Sequence, residues 1–288
     1  MNMNPDRIDP STRGMTSGRG TLSMDLHSSV GRSKLSVIMP SYNEAGRIRD
    51  SIIRTHRQLC RMTSDFQIVT VDDGSSDGTG DVLEQMAREL DRITVVKLQS
   101  NRGKGEALRQ GFYRSTGELV FFLDADMDLP PEQMGILLEI MKGDGADVVI
   151  GSKMHPRSRV DYPFHRRVVS LTYFTITRIL FGLPVRDTQT GLKVFRREVL
   201  EQCMPRMLVK AFAYDLELLV IAHHFGFHIS EAPVVIEYHM KYGYISLQSV
   251  RTTAIDTLAI FYRLHILEYY DQNPPLSTPH HEGFGKTA

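Results

Sequence analysis

The chain of 288 residues is long enough for one large domain, and its 41% hydrophobic and 24% charged residues are typical of a globular protein with a core. Lysine plus arginine and aspartate plus glutamate each number 34, and the resulting zero net charge argues against binding of nucleic acid through overall charge. Two distant cysteines favour a reducing, cytoplasmic compartment, and the sequence shows neither the apolar core of a signal peptide nor an apolar run long enough to predict a transmembrane helix.

The two ends of the chain differ in composition from its middle. Residues 1–33 are rich in Ser, Gly, Arg, Asn and Met, and residues 271–288 are rich in Pro, His and Gly, so both are predicted to be disordered tails. Between them we expect a domain at 34–245 and an amphipathic helix at 246–270. That helix is predicted from apolar residues at helical spacing, namely Leu247, Val250, Ala254, Leu258 and Phe261.

Strand and helix patterns alternate in the first half of the domain. The predicted strands are Leu35–Met39, Phe66–Val71, Ile93–Leu98, Glu118–Leu123 and Ala146–Ile150. Helices are predicted at Ala45–Leu59, Val82–Leu90, Lys104–Tyr113 and Glu132–Met141. This alternation predicts an α/β fold with a mostly parallel sheet and helices on both faces. Further on, Arg186–Arg196 is polar, and Ala211–Phe225 and His228–Glu237 are predicted as a helix and a strand.

Polar loops follow four of the predicted strands directly. They are Pro40–Glu44, Asp72–Ser75, Asn101–Gly105 and Asp124–Asp126. Ligands of parallel α/β sheets bind outside the carboxyl ends of the strands, so these loops are expected at one edge of the sheet. Asp77 is expected to cap the helix that follows it, and the Asn101–Gly105 loop is expected to contact phosphate through backbone amides and Arg102.

Three alternating aspartates follow the apolar strand that ends at Leu123. Burying unpaired carboxylates is costly, so the strand must reach the surface at Asp124. In an extended segment residues i, i+2 and i+4 point the same way, which would let Asp124, Asp126 and Asp128 converge on Mg²⁺ or Mn²⁺. A solvated acidic turn is the alternative, and this stretch alone does not separate the two.

The ordered set of motifs resembles the GT-A fold glycosyltransferases of family 2. The motifs are Val37-Ile-Met-Pro-Ser-Tyr-Asn-Glu44, Val71-Asp-Asp-Gly-Ser-Ser-Asp-Gly-Thr79, Asn101-Arg-Gly-Lys-Gly105 and Asp124-Ala-Asp126. Three further motifs are similar to those of the dolichyl- or polyprenyl-phosphate mannosyl- and glucosyltransferases: Gly151-Ser-Lys153, Arg166-Arg167 with Ser170, and Asp187–Phe195. The resemblance implies a Rossmann-like GT-A sheet and covers roughly Leu35 to Tyr244.

The resemblance also implies roles for individual residues. The nucleotide would be held by Pro40, Tyr42, Glu44, Asp72 and Asp73, and the diphosphate region would involve Arg102, Lys104, Asp124, Ala125 and Asp126. The metal, Mg²⁺ or Mn²⁺, would be bound by Asp124, Asp126 and Asp128. Asp187 and Gln189 would shape the acceptor side, and Lys241 offers a charge where mannosyl members often carry Arg. The predicted catalytic residues are Asp126, Lys153 and Arg166.

The function implied is metal-dependent, inverting transfer of a hexose from UDP-glucose or GDP-mannose to a polyprenyl or dolichyl phosphate. A lipid phosphate is already an anion, so it needs guiding cations more than a strong base. The basic loop before Phe164–Phe181 suits such an acceptor at a membrane surface, although a buried helix is equally compatible with that apolar segment. We therefore expect a protein peripheral to the cytoplasmic membrane face, with homo-oligomerisation left open.

Three other functions are weighed. A transferase to a hydroxyl acceptor would need a carboxylate base, for which Asp215 and Glu217 are candidates. A nucleotidyltransferase would need a glycine-rich loop after the first strand, and this loop is absent from the sequence. A catalytically silent nucleotide-binding protein would not need the intact aspartate trio.

Overall fold

The computed structural model describes residues 33–160, 164–210, 213–237 and 247–272. The two predicted tails therefore lie almost entirely outside the described residues, and Lys241 lies outside them as well. Of Arg166 only the backbone is described, so the predicted role of its side chain stays a prediction.

In the described residues, seven strands form one sheet. They are β1 (Leu35–Ser41), β2 (Phe66–Asp72), β3 (Ile93–Lys97), β4 (Leu119–Phe122), β5 (Val148–Ser152), β6 (Lys193–Arg196) and β7 (Ile229–Pro233). Their spatial order is β3-β2-β1-β4-β6-β5-β7. All pairings are parallel except those of β6, which runs antiparallel to both β4 and β5. The predicted mostly parallel α/β sheet is confirmed.

Helices connect the strands and follow the last of them. They are α1 (Ile48–Met62), α2 (Thr79–Glu89), α3 (Lys104–Arg114), α4 (Met134–Asp144), α5 (Phe164–Phe181), α6 (Arg197–Cys203), α7 (Tyr214–His224), α8 (Leu247–His265) and α9 (Tyr269–Gln272). Short 3₁₀ turns at Pro131–Gln133 and Met204–Arg206 precede α4 and follow α6. Among the described residues, every helix is too short or too polar to span a lipid bilayer.

The sheet is covered on both faces because successive side chains of a strand point to opposite sides. In β1, Ile38 packs into a core with α3 and α7, whereas Val37 and Met39 pack into a second core with α1 and α4. Burial on both faces explains the continuous apolar sequences of the central strands.

Most boundaries shift by one to four residues, and two differences from the prediction have a clear physical reason. β1 continues through Pro40 to Ser41, since β4 pairs only with residues 35–38 and the proline lies beyond that pairing. β6 was not predicted, because its four residues begin and end with charged side chains and lie in a segment of polar appearance. Lys193 is nevertheless fully buried, and its charge is compensated by a partner far along the chain.

Candidate active site

A cavity of about 300 Å³ opens at the carboxyl edge of β1, β2 and β4. This edge exists because the three strands are parallel and in register, with Ser41 opposite Asp72 and Ile38 opposite Phe122. All four predicted polar loops contribute to its wall, which is formed by Pro40, Ser41, Tyr42, Glu44, Asp73, Asn101, Gly103, Lys104, Ala107, Asp124, Ala125 and Asp126. The sequence argument did not select Ser41, Asn101, Gly103 and Ala107, although the first three belong to its motifs.

The first two loops hold each other through side-chain to backbone hydrogen bonds. The backbone amide of Asn43 donates to Oγ of Ser75 at 2.9 Å, and that of Glu44 donates to Oγ1 of Thr79 at 2.8 Å. Asp77 accepts from the amide of Ala45 and also from the amide of Thr79, the first residue of α2. Gly78, not Asp77, is the N-cap residue of α2, but the carboxylate of Asp77 one residue earlier still accepts the first helical amide and fixes the Pro40–Glu44 loop.

Asp72 and Asp73 are both buried, but they act differently. Asp72 accepts the amide of Ser75 at 3.0 Å and shapes its own turn. Asp73 lines the cavity and accepts the amides of Arg102 and Gly103 at 2.7 and 2.9 Å. Asp73 thus positions the third loop, and of the two aspartates it is the one at the cavity wall. Neither Asp72 nor Arg102 is among the described residues that line the cavity.

The aspartate segment turns instead of extending. Met127 has a φ of 62°, and the amide of Asp128 donates to Oδ1 of Asp126 at 3.1 Å, which closes a tight turn. The prediction that three alternating side chains point the same way is therefore wrong in its geometry. Among the described residues the cavity wall includes Asp124 and Asp126 but not Asp128, whose carbonyl accepts the amide of Glu237.

The electrostatics at the cavity concentrate negative charge. Partial burial and the neighbouring charges of Asp124 and Asp128 raise the pKa of Asp126 to about 6. The ammonium of Lys104 pairs with Asp124. Burial by itself would lower the pKa of Lys104, but the charges of Asp124 and Asp215 outweigh this effect and raise it. Lys104 thus supplies one positive charge to a carboxylate pair that remains negative.

The residues present fit a Mg²⁺ or Mn²⁺ ion. In the part of the chain that the structure describes, no group of three or more His, Cys, Asp or Glu side chains is arranged to hold a metal by itself. Mg²⁺ is commonly held by only one or two carboxylates together with substrate phosphates, so the pair Asp124 and Asp126 matches that kind of site. Burial and the charge of Asp124 both raise the pKa of Asp126, and a bound cation would oppose both effects.

A ring of contacts links Asp124 to the Asp187–Phe195 motif. Lys193 pairs with Asp215 and donates to the carbonyl of Thr190. Gly191 lies against Asp124 so closely that an added Cβ would be 2.3 Å from Oδ2 of that carboxylate. Burial raises the pKa of Asp215, although the charges of Lys193 and Lys104 oppose this shift. Asp124, Lys104, Asp215 and Lys193 thus alternate in the sign of their charge, so each charged group lies near an opposite one.

Asp187 and Lys153 are brought together beside this ring. Asp187 is buried and accepts the amides of Lys153 and Gln189 at 3.0 and 3.1 Å. Nζ of Lys153 lies 3.9 Å from the same carboxylate. Glu231 fixes the start of the Asp187–Phe195 segment, because its carboxylate accepts the amides of Arg186 and Asp187. Asp187 is thus an anchor that holds the Lys153 loop in place.

Several buried polar atoms of this region have no hydrogen-bond partner within the described structure. They are Oγ of Ser152, Oγ1 of Thr188, Nε2 of Gln189 and Oγ1 of Thr190. An unpaired buried polar group costs roughly 1–3 kcal/mol, so groups of this kind are normally satisfied by water or a ligand. Ser152 directly precedes Lys153, and the other three residues lie between Asp187 and Gly191 in the chain, so bound water or a polar ligand would have to satisfy them there.

The two candidate bases for a hydroxyl acceptor are occupied. Glu217 is fully buried and accepts hydrogen bonds from the amides of Leu208 and Val209, from Arg263 and from the hydroxyl of Tyr270. Asp215 is paired with Lys193 in the ring. Both carboxylates serve the packing of α7 in this structure.

Comparison with known proteins agrees with the fold and identifies a family. The sequence model of the glycosyl transferase family 2 matches residues 36–204. The polyprenol monophosphomannose synthase of Mycolicibacterium smegmatis is 33% identical over 204 residues, which cover 69% of this chain and 75% of that protein. The dolichyl-phosphate beta-glucosyltransferase ALG5D of Trichomonas vaginalis is 30% identical over 252 residues, which cover 83% of this chain and 76% of that protein.

Other similarities are more limited. Glycosyltransferase AglD of Haloferax volcanii is 30% identical over 203 residues, but the match spans only 32% of its length. Among solved structures, the glucosyl-3-phosphoglycerate synthase of Mycobacterium tuberculosis, crystallised with Mn²⁺, UDP and its product, superposes with a TM-score of 0.62. That match covers 82% of this chain and 81% of the other at 19% identity, so it supports the fold alone.

Proposed function

Because the chain belongs to glycosyl transferase family 2, and is therefore a glycosyltransferase, we propose that it transfers a hexose from a nucleoside diphosphate sugar to a polyprenyl or dolichyl phosphate. The observation that carries this proposal is the arrangement at the sheet edge. One cavity joins the four polar loops and the carboxylates of Asp124 and Asp126. The basic side chain of Lys153 is fixed on Asp187 beside the same edge.

The donor is proposed to occupy the 300 Å³ cavity. Its base and ribose would contact the wall formed by Pro40, Tyr42, Glu44 and Asp73. Tyr42 is suited to stacking on a base, because its ring is 47% exposed at the cavity wall. The base itself is left open between uracil and guanine, and the sugar between glucose and mannose.

The diphosphate is proposed to lie against Asp124, Asp126 and Lys104. A Mg²⁺ or Mn²⁺ ion held there by Asp124 and Asp126 would supply positive charge to the leaving diphosphate. Asp128 is proposed to act on this site indirectly, because its backbone amide holds the carboxylate of Asp126 in the turn. Lys104 contributes a fixed positive charge at the same wall and is positioned to face the diphosphate.

A phosphate acceptor suits the acceptor side better than a hydroxyl does. A hydroxyl has to lose a proton to a base, and the candidate bases Asp215 and Glu217 are held by Lys193 and by four hydrogen bonds. An anionic phosphate needs no base, and Lys153 and Arg166 would guide it through their charge. Attack on the anomeric carbon from the face opposite the diphosphate would invert its configuration.

The acceptor also determines where the protein would work. A polyprenyl phosphate is embedded in a membrane by its hydrocarbon chain, so the enzyme is proposed to act peripherally at the cytoplasmic membrane face. Two of the relatives named above, the polyprenol monophosphomannose synthase and the dolichyl-phosphate beta-glucosyltransferase, carry such a lipid in their names, which supports this location.

The proposal is tested by incubating the full chain with Mn²⁺ or Mg²⁺, a prenyl phosphate and a panel of sugar nucleotides. We expect one sugar nucleotide to be consumed and a prenyl phosphate sugar of inverted anomeric configuration to form. The matching prenyl alcohol is the control, and transfer to the alcohol but not to the phosphate would favour the hydroxyl-acceptor alternative. Unchanged donor turnover in Asp126→Ala would instead indicate a site that does not catalyse transfer.

A further inference from the structure

Two long helices carry most of the exposed large apolar side chains. Of the fourteen such residues among the described side chains, ten lie on α5, on α8 or in the turn directly after α8. They are Val169, Leu171, Ile176, Ile179, Val250, Ile255, Leu258, Tyr262, Ile266 and Leu267. This concentration exceeds the scattered apolar residues of an ordinary surface and is typical of an interaction site.

The two helices are neighbours in the fold. The rings of Phe181 and Phe261 lie 6.4 Å apart between their centroids, and the imidazole of His265 contacts the carbonyl of Leu180 at 3.1 Å. Thr257 and Ile260 of α8 are buried, whereas Val250, Leu258 and Tyr262 are about half exposed or more. Of the apolar row predicted for α8, Val250, Ala254 and Leu258 are thus exposed, whereas Phe261 packs against the core.

The charge on this helix pair is mainly basic. The sequence of α5 contains three arginines and one histidine and no acidic residue. Arg178 and Arg251 are exposed beside the apolar side chains, whereas Arg263 is directed inward to Glu217. Asp256 is the single acidic residue in the sequence of α8.

We propose that the α5–α8 helix pair docks the protein on a membrane surface that contains anionic lipid, and this rests on the proposed function at the adjacent site. Apolar side chains flanked by arginines match the boundary between acyl chains and anionic headgroups. α5 also follows the segment that begins at Lys153, so docking would bring the acceptor side of the site to the lipid surface.

A second copy of the chain fits this face less well. In a two-fold dimer the same patch meets itself, so the arginines of one copy would lie close to those of the other. The described acidic residues here are Asp256 of α8 and Glu268 directly after it, whereas the sequences of the two helices supply four arginines besides the inward Arg263. A lipid surface offers negative charge in excess.

The test compares three forms of the full chain by co-sedimentation with phosphatidylcholine vesicles that contain about 30% phosphatidylglycerol. The docking variant is Ile179→Glu with Leu258→Glu, since both side chains are more than 60% exposed and their change should not disturb the core. The matched control is Tyr113→Glu, which alters an exposed apolar residue near the end of α3, outside the α5–α8 helix pair.

We expect the docking variant to lose vesicle binding by about tenfold or more and the control to bind like the unaltered chain. Binding should also weaken with added salt and with pure phosphatidylcholine. Equal binding of both variants would overturn the proposal. So would a doubled mass in light scattering that the docking variant abolishes, because it would identify the face as a dimer interface.

Transfer to a short, water-soluble prenyl phosphate separates this inference from the proposed function. The docking variant should retain that activity within about twofold, since neither changed residue lines the site. A chain that binds vesicles through this face but transfers no sugar to any prenyl phosphate would disprove the proposed function and leave the docking surface standing.

Discussion

At the residue scale, a glycine decides how closely two motifs approach. Gly191 lies directly against the carboxylate of Asp124, where any Cβ would overlap the oxygen. The sequence places this glycine in a motif, but nothing in the sequence shows which residue it meets. Only the folding of the Asp187–Phe195 segment beside β4 creates the contact.

We predict that Gly191→Ala lowers the affinity for a nucleoside diphosphate with Mn²⁺ by at least about tenfold, because the methyl group displaces Asp124. The control is Gly143→Ala in α4, where a Cβ meets nothing within 4 Å. Titration calorimetry measures both variants. Equal affinity in Gly191→Ala would show that Asp124 is not needed in its present position.

Asp126 lowers the stability of the ligand-free fold near neutral pH, because its folded pKa of about 6 lies above the ordinary value of 3.8. A carboxyl group with a raised folded pKa destabilises the fold where it must ionise, so stability falls as the pH rises from about 4 to about 6. We predict that Asp126→Asn stabilises the protein in chelator by about 1–2 kcal/mol near pH 7 and by little near pH 4.

Thermal unfolding at the two pH values measures this gain in stability. Asp65→Asn, an exposed aspartate between α1 and β2, is the control and should show no such dependence. The stabilised variant should also bind nucleotide with Mn²⁺ more weakly. A stability gain that is the same at both pH values would contradict the assignment of the raised pKa to Asp126.

At the scale of elements, the buried pair of Lys193 and Asp215 joins β6 to α7. Breaking a buried ion pair leaves one uncompensated charge in the interior, which is more costly than removing both partners. We predict that Asp215→Leu destabilises the fold by about 3–5 kcal/mol, and that Lys193→Met added to it restores much of that loss.

A double-mutant cycle by urea unfolding measures the coupling between these two side chains. The comparison is Glu89→Ala, which breaks the exposed pair with Arg49 and should cost less than about 1 kcal/mol. Additive effects of the Lys193 and Asp215 substitutions would show that the pair does not act as a unit in the folded chain.

At the scale of the whole molecule, the cavity depends on loops from widely separated parts of the chain. A ligand that bridges them stabilises the folded state by an amount that grows with the logarithm of its concentration relative to its dissociation constant. We predict that a nucleoside diphosphate and Mn²⁺ together raise the unfolding temperature more than the sum of their separate effects. The reason is that Asp124 and Asp126 repel a diphosphate until a cation is present.

Differential scanning fluorimetry measures this synergy, and a concentration of about 100 times the dissociation constant corresponds to roughly 2.7 kcal/mol. Nucleoside without phosphate is the control and should show no dependence on Mn²⁺. A nucleotide effect that is independent of the metal would argue against a metal-bridged diphosphate.

The sequence by itself predicted a mostly parallel sheet, the positions of its first five strands along the chain and the four loops at its carboxyl edge. Strand periodicity and loop position are local properties, and parallel pairing then brings the loops together. The sequence did not predict β6, whose buried Lys193 is explained only by Asp215 in a helix 22 residues later.

The tertiary structure decided what these local patterns became. It replaced the extended aspartate row by a turn at Met127, so that Asp124 and Asp126 reach the cavity. It committed Glu217 to four hydrogen bonds. It also divided the apolar row of α8, since Val250 and Leu258 are exposed whereas Phe261 packs against the core. The physical reason is common to all three: a side chain's role depends on its neighbours in space, and those neighbours come from distant parts of the chain.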